Sequence, residues 1–134
     1  MSIGSWDPAA EAAAQSIHVE PEILTRFINL SESQKLDQLD DFISGAESQK
    51  LSGLITLQPS VWTDTAQSLS DEHILHLIRF FVVAENLPGW ESGDKSPVIP
   101  LAKCLRKRGA RLDKELLKWI RSVSDNRFLP YGPL

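Results

Sequence analysis

Apolar residues recur at helical spacing along most of this chain, with polar residues between them. The strongest pattern follows Ser70, where Ile74, Leu77, Ile78 and Phe81 fall on one helical face. This pattern predicts a central helix. Weaker patterns of the same period predict further short helices, and no segment shows the period-two alternation of a strand. We therefore predict an all-α fold, a compact bundle of six to eight short helices.

Local start and stop signals place several of these helices. Glu20-Pro21 and Asp113 predict two helix starts, and Asp7-Pro8 predicts an N-terminal helix that runs to about His18. Residues 31–34 read Ser-Glu-Ser-Gln, which matches a capping box, so we predict a helix from Ser31 to Gly45. The spacing of proline and glycine excludes a long coiled coil.

A faint internal repeat offers an alternative architecture. Residues 70–82 and 112–124 align with several identities, among them Asp71 with Asp113 and Arg79 with Arg121. A period near 40 residues is typical of helix-pair repeats of the HEAT kind. Two amphipathic helices can also align this well by chance, so HEAT-like stacking is the second choice.

The length of 134 residues fits one domain, so we predict a single helical domain over 1–134. Residues 1–5 are expected to be flexible. The segment 125–134 contains Pro130, Gly132 and Pro133, which exclude regular helix. Because this tail also carries Phe128, Leu129 and Tyr131, we expect it to pack back onto the domain.

Composition points to a cytoplasmic protein. The first residues lack the basic and apolar regions of a secretory signal, and no apolar run reaches the roughly 18 residues of a membrane span. The single cysteine, Cys104, cannot form an internal disulfide, which favours a reducing compartment.

Charge is divided sharply along the chain. Residues 1–94 carry four Lys or Arg against 15 Asp or Glu, whereas residues 95–134 carry ten against three. Such an asymmetry suggests a partner for one half, although the two halves can also simply face each other or solvate different faces.

The histidines, carboxylates and cysteine of this chain do not form a coherent catalytic set. Glu72, His73 and His76 share a predicted helix, but their order is not that of a zinc-protease motif, so we interpret them as polar edge residues. Cys104 reads as a core thiol, since no histidine follows it in the chain. We expect no catalytic residue, no metal and no cofactor; an enzyme that uses Glu72, His73 and His76 is an alternative.

The segment after residue 87 is the best candidate for a binding surface. There a tryptophan, a predicted helix start near Pro97 and a run of basic residues come close together in sequence. Tryptophan is a frequent interface anchor, and helix N-termini favour anions. The predicted binding residues are Trp90, Lys95, Ser96, Lys103, Arg106, Lys107, Arg111, Lys118 and Arg121.

These features predict a non-enzymatic protein-interaction or adaptor module that binds an acidic protein surface or a phosphate group. Self-association through the acidic half of a second copy is a further option. Nucleic-acid binding through residues 103–121 is the alternative function. It is less favoured, because the chain is acidic overall, with a pI of about 5.3, and carries no recognisable nucleic-acid-binding motif.

Overall fold

The computed structural model describes residues 19–43, 45–87, 89–126 and 128–131. Within these ranges the chain is helical and contains no strand, which confirms the all-α prediction for this part. None of the described helices is long and apolar enough to cross a membrane. The predicted helix from Asp7 to His18 and the flexible residues 1–5 lie outside the described residues.

Five helices form the packed body of the described part of the chain. The predicted count of six to eight helices and the predicted HEAT-like stacking stay predictions. Short α-helical segments at Leu39–Phe42 and Gly45–Ser52 and 3-10 turns at Leu36–Gln38 and Gly53–Thr56 connect the first two of these helices, and a 3-10 turn at Gly93–Lys95 precedes the fourth. The five are α1 (Pro21–Glu32), α2 (Pro59–Ala66), α3 (Asp71–Ala84), α4 (Val98–Lys107) and α5 (Lys114–Val123).

Local sequence signals explain where three of the helices begin or end. The Ser70 hydroxyl accepts a hydrogen bond from the backbone N–H of His73 at 3.1 Å, and this cap starts α3. The Asp113 carboxylate accepts one from Leu116 N–H at 2.7 Å and starts α5 in the same way. Helix α4 ends before Gly109, whose φ of +81° lies in the left-handed region.

Helix α3 is the centre of the fold, as the sequence predicted, and it packs against α1, α4 and α5. Its aromatic side chains join it to its neighbours. Phe80 stacks on Phe27 of α1 with ring centroids 3.9 Å apart, and Phe81 meets the Trp62 ring of α2 edge-on at 5.1 Å. All four rings are fully buried.

The predicted helix from Ser31 to Gly45 is wrong at both ends: Ser31 belongs to α1, and Gly45 begins the next helical segment, and the helical segments described between them are Leu36–Gln38 and Leu39–Phe42. Helix α1 continues through Ser31 and ends at Glu32, two residues before Gln34, whose φ of +58° lies in the left-handed region. Ser31 is buried, and its Oγ lies 2.8 Å from Nδ1 of His76. The hydroxyl that resembled a cap in the sequence therefore links α1 to α3.

The C-terminal segment is described at residues 125, 126 and 128–131. Leu129 and Pro130 are buried, and the Tyr131 ring lies 4.6 Å from the guanidinium of Arg106. Asn126 donates to the carbonyl of Gly93 at 2.8 Å. The segment thus contacts both α4 and the loop that precedes it.

Candidate interaction groove

Trp90 is not the surface anchor that the sequence suggested. Its side chain is fully buried, its ring meets Phe80 edge-on at 6.2 Å, and its Nε1 donates to Ser48 Oγ at 2.7 Å. The indole therefore fills the core and satisfies its one donor inside the protein. The assignment of Trp90 to a binding surface is wrong.

Ser96 also has an internal role. It is 1% exposed, and its hydroxyl donates to one oxygen of the Glu85 carboxylate. Ser92 donates to the other oxygen, and Asn126 Nδ2 approaches that oxygen at 3.3 Å. Burial raises the pKa of the Glu85 carboxyl above its ordinary value, while the three hydrogen bonds act in the opposite direction. Glu85, which sequence reasoning did not single out, thus fixes the loop that leads into α4.

A groove of about 490 Å³ lies between α2 and α4, beside this loop. Each helix contributes a row of side chains spaced four residues apart, the spacing that places residues on one helical face. The α2 row is Pro59, Thr63 and Gln67, and the α4 row is Ile99, Lys103 and Lys107. The remaining lining residues are Asp94, Lys95, Ser96, Pro100, Cys104 and Arg108.

The groove is positively charged at its rim. The ammonium groups of Lys95, Lys103 and Lys107 form no ion pair with any described residue. Arg108 also lines the groove, but its guanidinium is held by Asp71 at 2.9 Å. Among the described lining residues, the carboxylate of Asp94 is the one acidic group set against the three lysines.

Arg108 shapes the groove rather than offering a free cation. Besides Asp71, its guanidinium binds the carbonyl oxygens of Leu69 at 2.9 Å and Ala66 at 2.8 Å. These carbonyls lie at the end of α2 and just beyond it, so Arg108 links the end of α4 to the end of α2. The separation of the two walls is fixed by this link.

The floor of the groove is apolar. Ile99, Pro100 and Cys104 are all buried, and they lie below the lysines on α4. The burial of Cys104 agrees with its interpretation as a core thiol. A charged rim over an apolar floor suits a ligand that carries both acidic groups and an apolar side chain.

The structure brings together only part of the predicted binding set. Lys95, Ser96, Lys103 and Lys107 line the groove. The others are placed elsewhere: Arg106 contacts Tyr131, Arg121 lines a separate depression with Asp125, and the exposed Arg111 and Lys118 are not part of the groove. Sequence reasoning missed Thr63 and Gln67, because nothing local marks α2 as the partner of α4.

This geometry can bind anionic groups and exclude water from an apolar contact below them. No family model, no curated protein and no solved structure matches this chain. Its function is therefore argued from the groove itself.

Proposed function

We propose that this protein is a non-enzymatic interaction module whose groove between α2 and α4 binds a short acidic segment of a partner protein. The observation that carries this proposal is the set of three unpaired amines, on Lys95, Lys103 and Lys107, around an apolar floor. Carboxylates of the partner are the natural complement of these amines. An apolar side chain between the carboxylates would cover Ile99.

The size of the groove limits the occupant to a short segment. Helix α2, which forms one wall, has eight residues, and at 1.5 Å per residue its length is about 12 Å. An extended chain covers that distance with about four residues at roughly 3.3 Å each. We therefore expect an acidic segment of about that length, rather than the broad surface of a folded partner.

Nucleic-acid binding through residues 103–121 is the alternative function, and the placement of the basic side chains weighs against it. A duplex presents phosphates along its whole length and favours a continuous basic surface. Here Arg106 contacts Tyr131, and Arg121 lies beside Asp125 in another depression. The chain as a whole carries a net charge of −4, which opposes long-range attraction of a polyanion.

Two finer expectations from the sequence belong to the same proposal. A cytoplasmic location is supported by the single, buried Cys104, since a reducing compartment suits an unpaired thiol. Helix-pair stacking of the HEAT kind remains the alternative description of the bundle, supported by the repeat between residues 70–82 and 112–124.

A charge-reversal experiment tests the groove. Fluorescent short peptides that alternate glutamate with leucine are titrated with the protein and followed by anisotropy. Lys103→Glu with Lys107→Glu should weaken binding by at least about tenfold, because two attractive pairs become repulsive. The matched control is Arg111→Glu with Lys118→Glu, which changes the net charge equally outside the groove and should leave the affinity within about twofold.

The same titration also tests the competing functions. Short duplex DNA and single-stranded RNA replace the peptide in the same titration. Tight binding of either nucleic acid, weakened equally by both double variants, would contradict the proposal and favour the alternative. Sedimentation of the protein alone tests self-association: a dimer that the groove variant dissociates would identify a second copy as the occupant.

A further inference from the structure

Three potential metal ligands converge where the end of α1 meets the first half of α3. A carboxylate oxygen of Glu32, one of Glu72 and a ring nitrogen of His76 all lie within 4.8 Å of one another. Glu72 and His76 are four residues apart on α3, so they share a face, and Glu32 is the last residue of α1. The structure assigns to this cluster a divalent transition-metal site, with Zn²⁺ as the ion it fits best.

One ring nitrogen of His76 already has a hydrogen-bond partner. Nδ1 of His76 lies 2.8 Å from Oγ of Ser31, whose side chain is 7% exposed. The tautomer with its proton on Nδ1 donates to this hydroxyl and leaves the Nε2 lone pair free for a metal. Metal-bound histidines usually make such a second hydrogen bond through the other ring nitrogen. Ser31 and Glu32 are adjacent, so the same end of α1 supplies a ligand and the group that orients another.

The charges around the cluster favour a cation. Neither Glu32 nor Glu72 forms an ion pair in the part of the chain that the structure describes. The two cations nearest in sequence are placed elsewhere, since Lys35 lies over the Phe42 ring at 5.0 Å and Arg79 over the Trp119 ring at 5.6 Å. The last turn of α1 contains no basic residue, and the C-terminal end of a helix carries partial negative charge.

The ligand set selects the kind of metal. Imidazole with carboxylates suits zinc and its neighbours, whereas magnesium and calcium prefer oxygen ligands alone. Zinc bonds of about 2.0–2.2 Å in tetrahedral geometry separate ligand atoms by roughly 3.5 Å. The three ligand atoms lie within 4.8 Å of one another, and both glutamates are exposed, so rotation of their side chains can bring the atoms to the separation that zinc requires. With three protein ligands, the fourth position is left for water.

Tight packing beneath the cluster gives it a rigid base. The stacked rings of Phe27 and Phe80 hold α1 against α3 one or two turns away. A metal bound here would join the end of α1 to the beginning of α3 by a second, polar link. The site is independent of the groove between α2 and α4.

Isothermal titration of the tag-free 134-residue chain with ZnCl₂ tests the assignment, with MgCl₂ as the comparison. We expect one zinc per chain and no magnesium binding at the same concentration. A hundredfold excess of zinc over Kd should raise the Tm by about 5–10 °C. His76→Ala and Glu32→Gln should each weaken zinc binding at least about tenfold, and Ser31→Ala by about tenfold.

Two control variants make the result specific. Glu22→Gln removes an exposed carboxylate from the opposite end of α1 and should leave zinc affinity unchanged. His73→Ala should weaken binding less than His76→Ala does; equal losses would mean that a different set of residues binds the ion. Absence of saturable zinc binding to the folded wild-type protein would overturn the assignment, and circular dichroism of each variant shows whether it is folded.

Discussion

The indole Nε1 of Trp90 donates a hydrogen bond to the hydroxyl of Ser48 at 2.7 Å, across 42 positions of sequence. This contact joins the loop before α4 to the short α-helical segment Gly45–Ser52. Trp90 is fully buried, so removal of the serine hydroxyl takes away the partner of its N–H. An unsatisfied buried donor costs about 1–3 kcal/mol.

Ser48→Ala should therefore lower the free energy of unfolding by about 1–3 kcal/mol, measured by urea denaturation. Ser68→Ala is the matched control, because its exposed hydroxyl binds only the nearby carbonyl of Thr65. That control should change stability by no more than about 0.5 kcal/mol. Equal effects of the two changes would show that the Trp90–Ser48 contact contributes little.

The buried carboxyl of Glu85 should make stability depend on pH. Burial raises its pKa in the folded protein above the ordinary value, so the folded state binds this proton more tightly than the unfolded chain. The resulting stabilisation is fully present below the unfolded pKa and is lost as pH rises through the folded pKa. Glu85→Gln removes this titrating group, so the free energy of unfolding of wild type relative to this variant should fall as the pH rises from acidic to neutral.

Urea denaturation of both proteins across this pH range measures the difference. Glu115→Gln, an exposed change in the first turn of α5, supplies the background for removing a carboxylate. If the free energy of unfolding of wild type, relative to that of Glu85→Gln, rises with pH, the result would contradict the direction derived from burial.

Replacing each of two glycines by alanine should change the stability of the protein in opposite directions. Gly109 has a φ of +81° after α4, a conformation that costs an L-residue about 1–2 kcal/mol. Gly53 lies in a 3-10 turn outside the positive-φ region, and neither position has an atom close to an added Cβ. Gly109→Ala should destabilise by about 1 kcal/mol, whereas Gly53→Ala should stabilise by about 0.4–1 kcal/mol.

Thermal unfolding of the two alanine variants tests this contrast. If both variants melt at the same temperature, the left-handed turn at Gly109 does not set the end of α4. Lys107 is in the last turn of α4, so its position would then depend on contacts other than this turn.

The sequence predicted the elements whose signals are local. Ser70 and Asp113 cap α3 and α5 because a cap and the apolar spacing after it act within one helix. The capping-box match at Ser31 failed for the opposite reason. Its hydroxyl contacts His76, which is 45 positions away, and no local pattern reveals that competition.

The contrast between local signals and long-range contacts also explains which parts of the candidate sites the sequence could predict. The four-residue spacing of Lys103 and Lys107 was visible in the sequence, and the structure places both in one groove. Thr63 and Gln67 of the facing helix could not be predicted, because helix pairing depends on tertiary packing. No local pattern shows that Glu32 is a neighbour of His76. Trp90 was assigned to the binding surface because tryptophan is a frequent interface anchor, and its burial against Phe80 depends on tertiary packing.

The most direct test of the groove is a map of where an acidic ligand binds. Nitrogen-15 chemical-shift changes are recorded as a short glutamate–leucine peptide is titrated into the protein. We expect shifts concentrated at Thr63, Gln67, Lys103 and Lys107, which are lost in Lys103→Glu with Lys107→Glu. Shifts concentrated instead around Arg111, Lys118 and Arg121, unchanged in that variant, would contradict it.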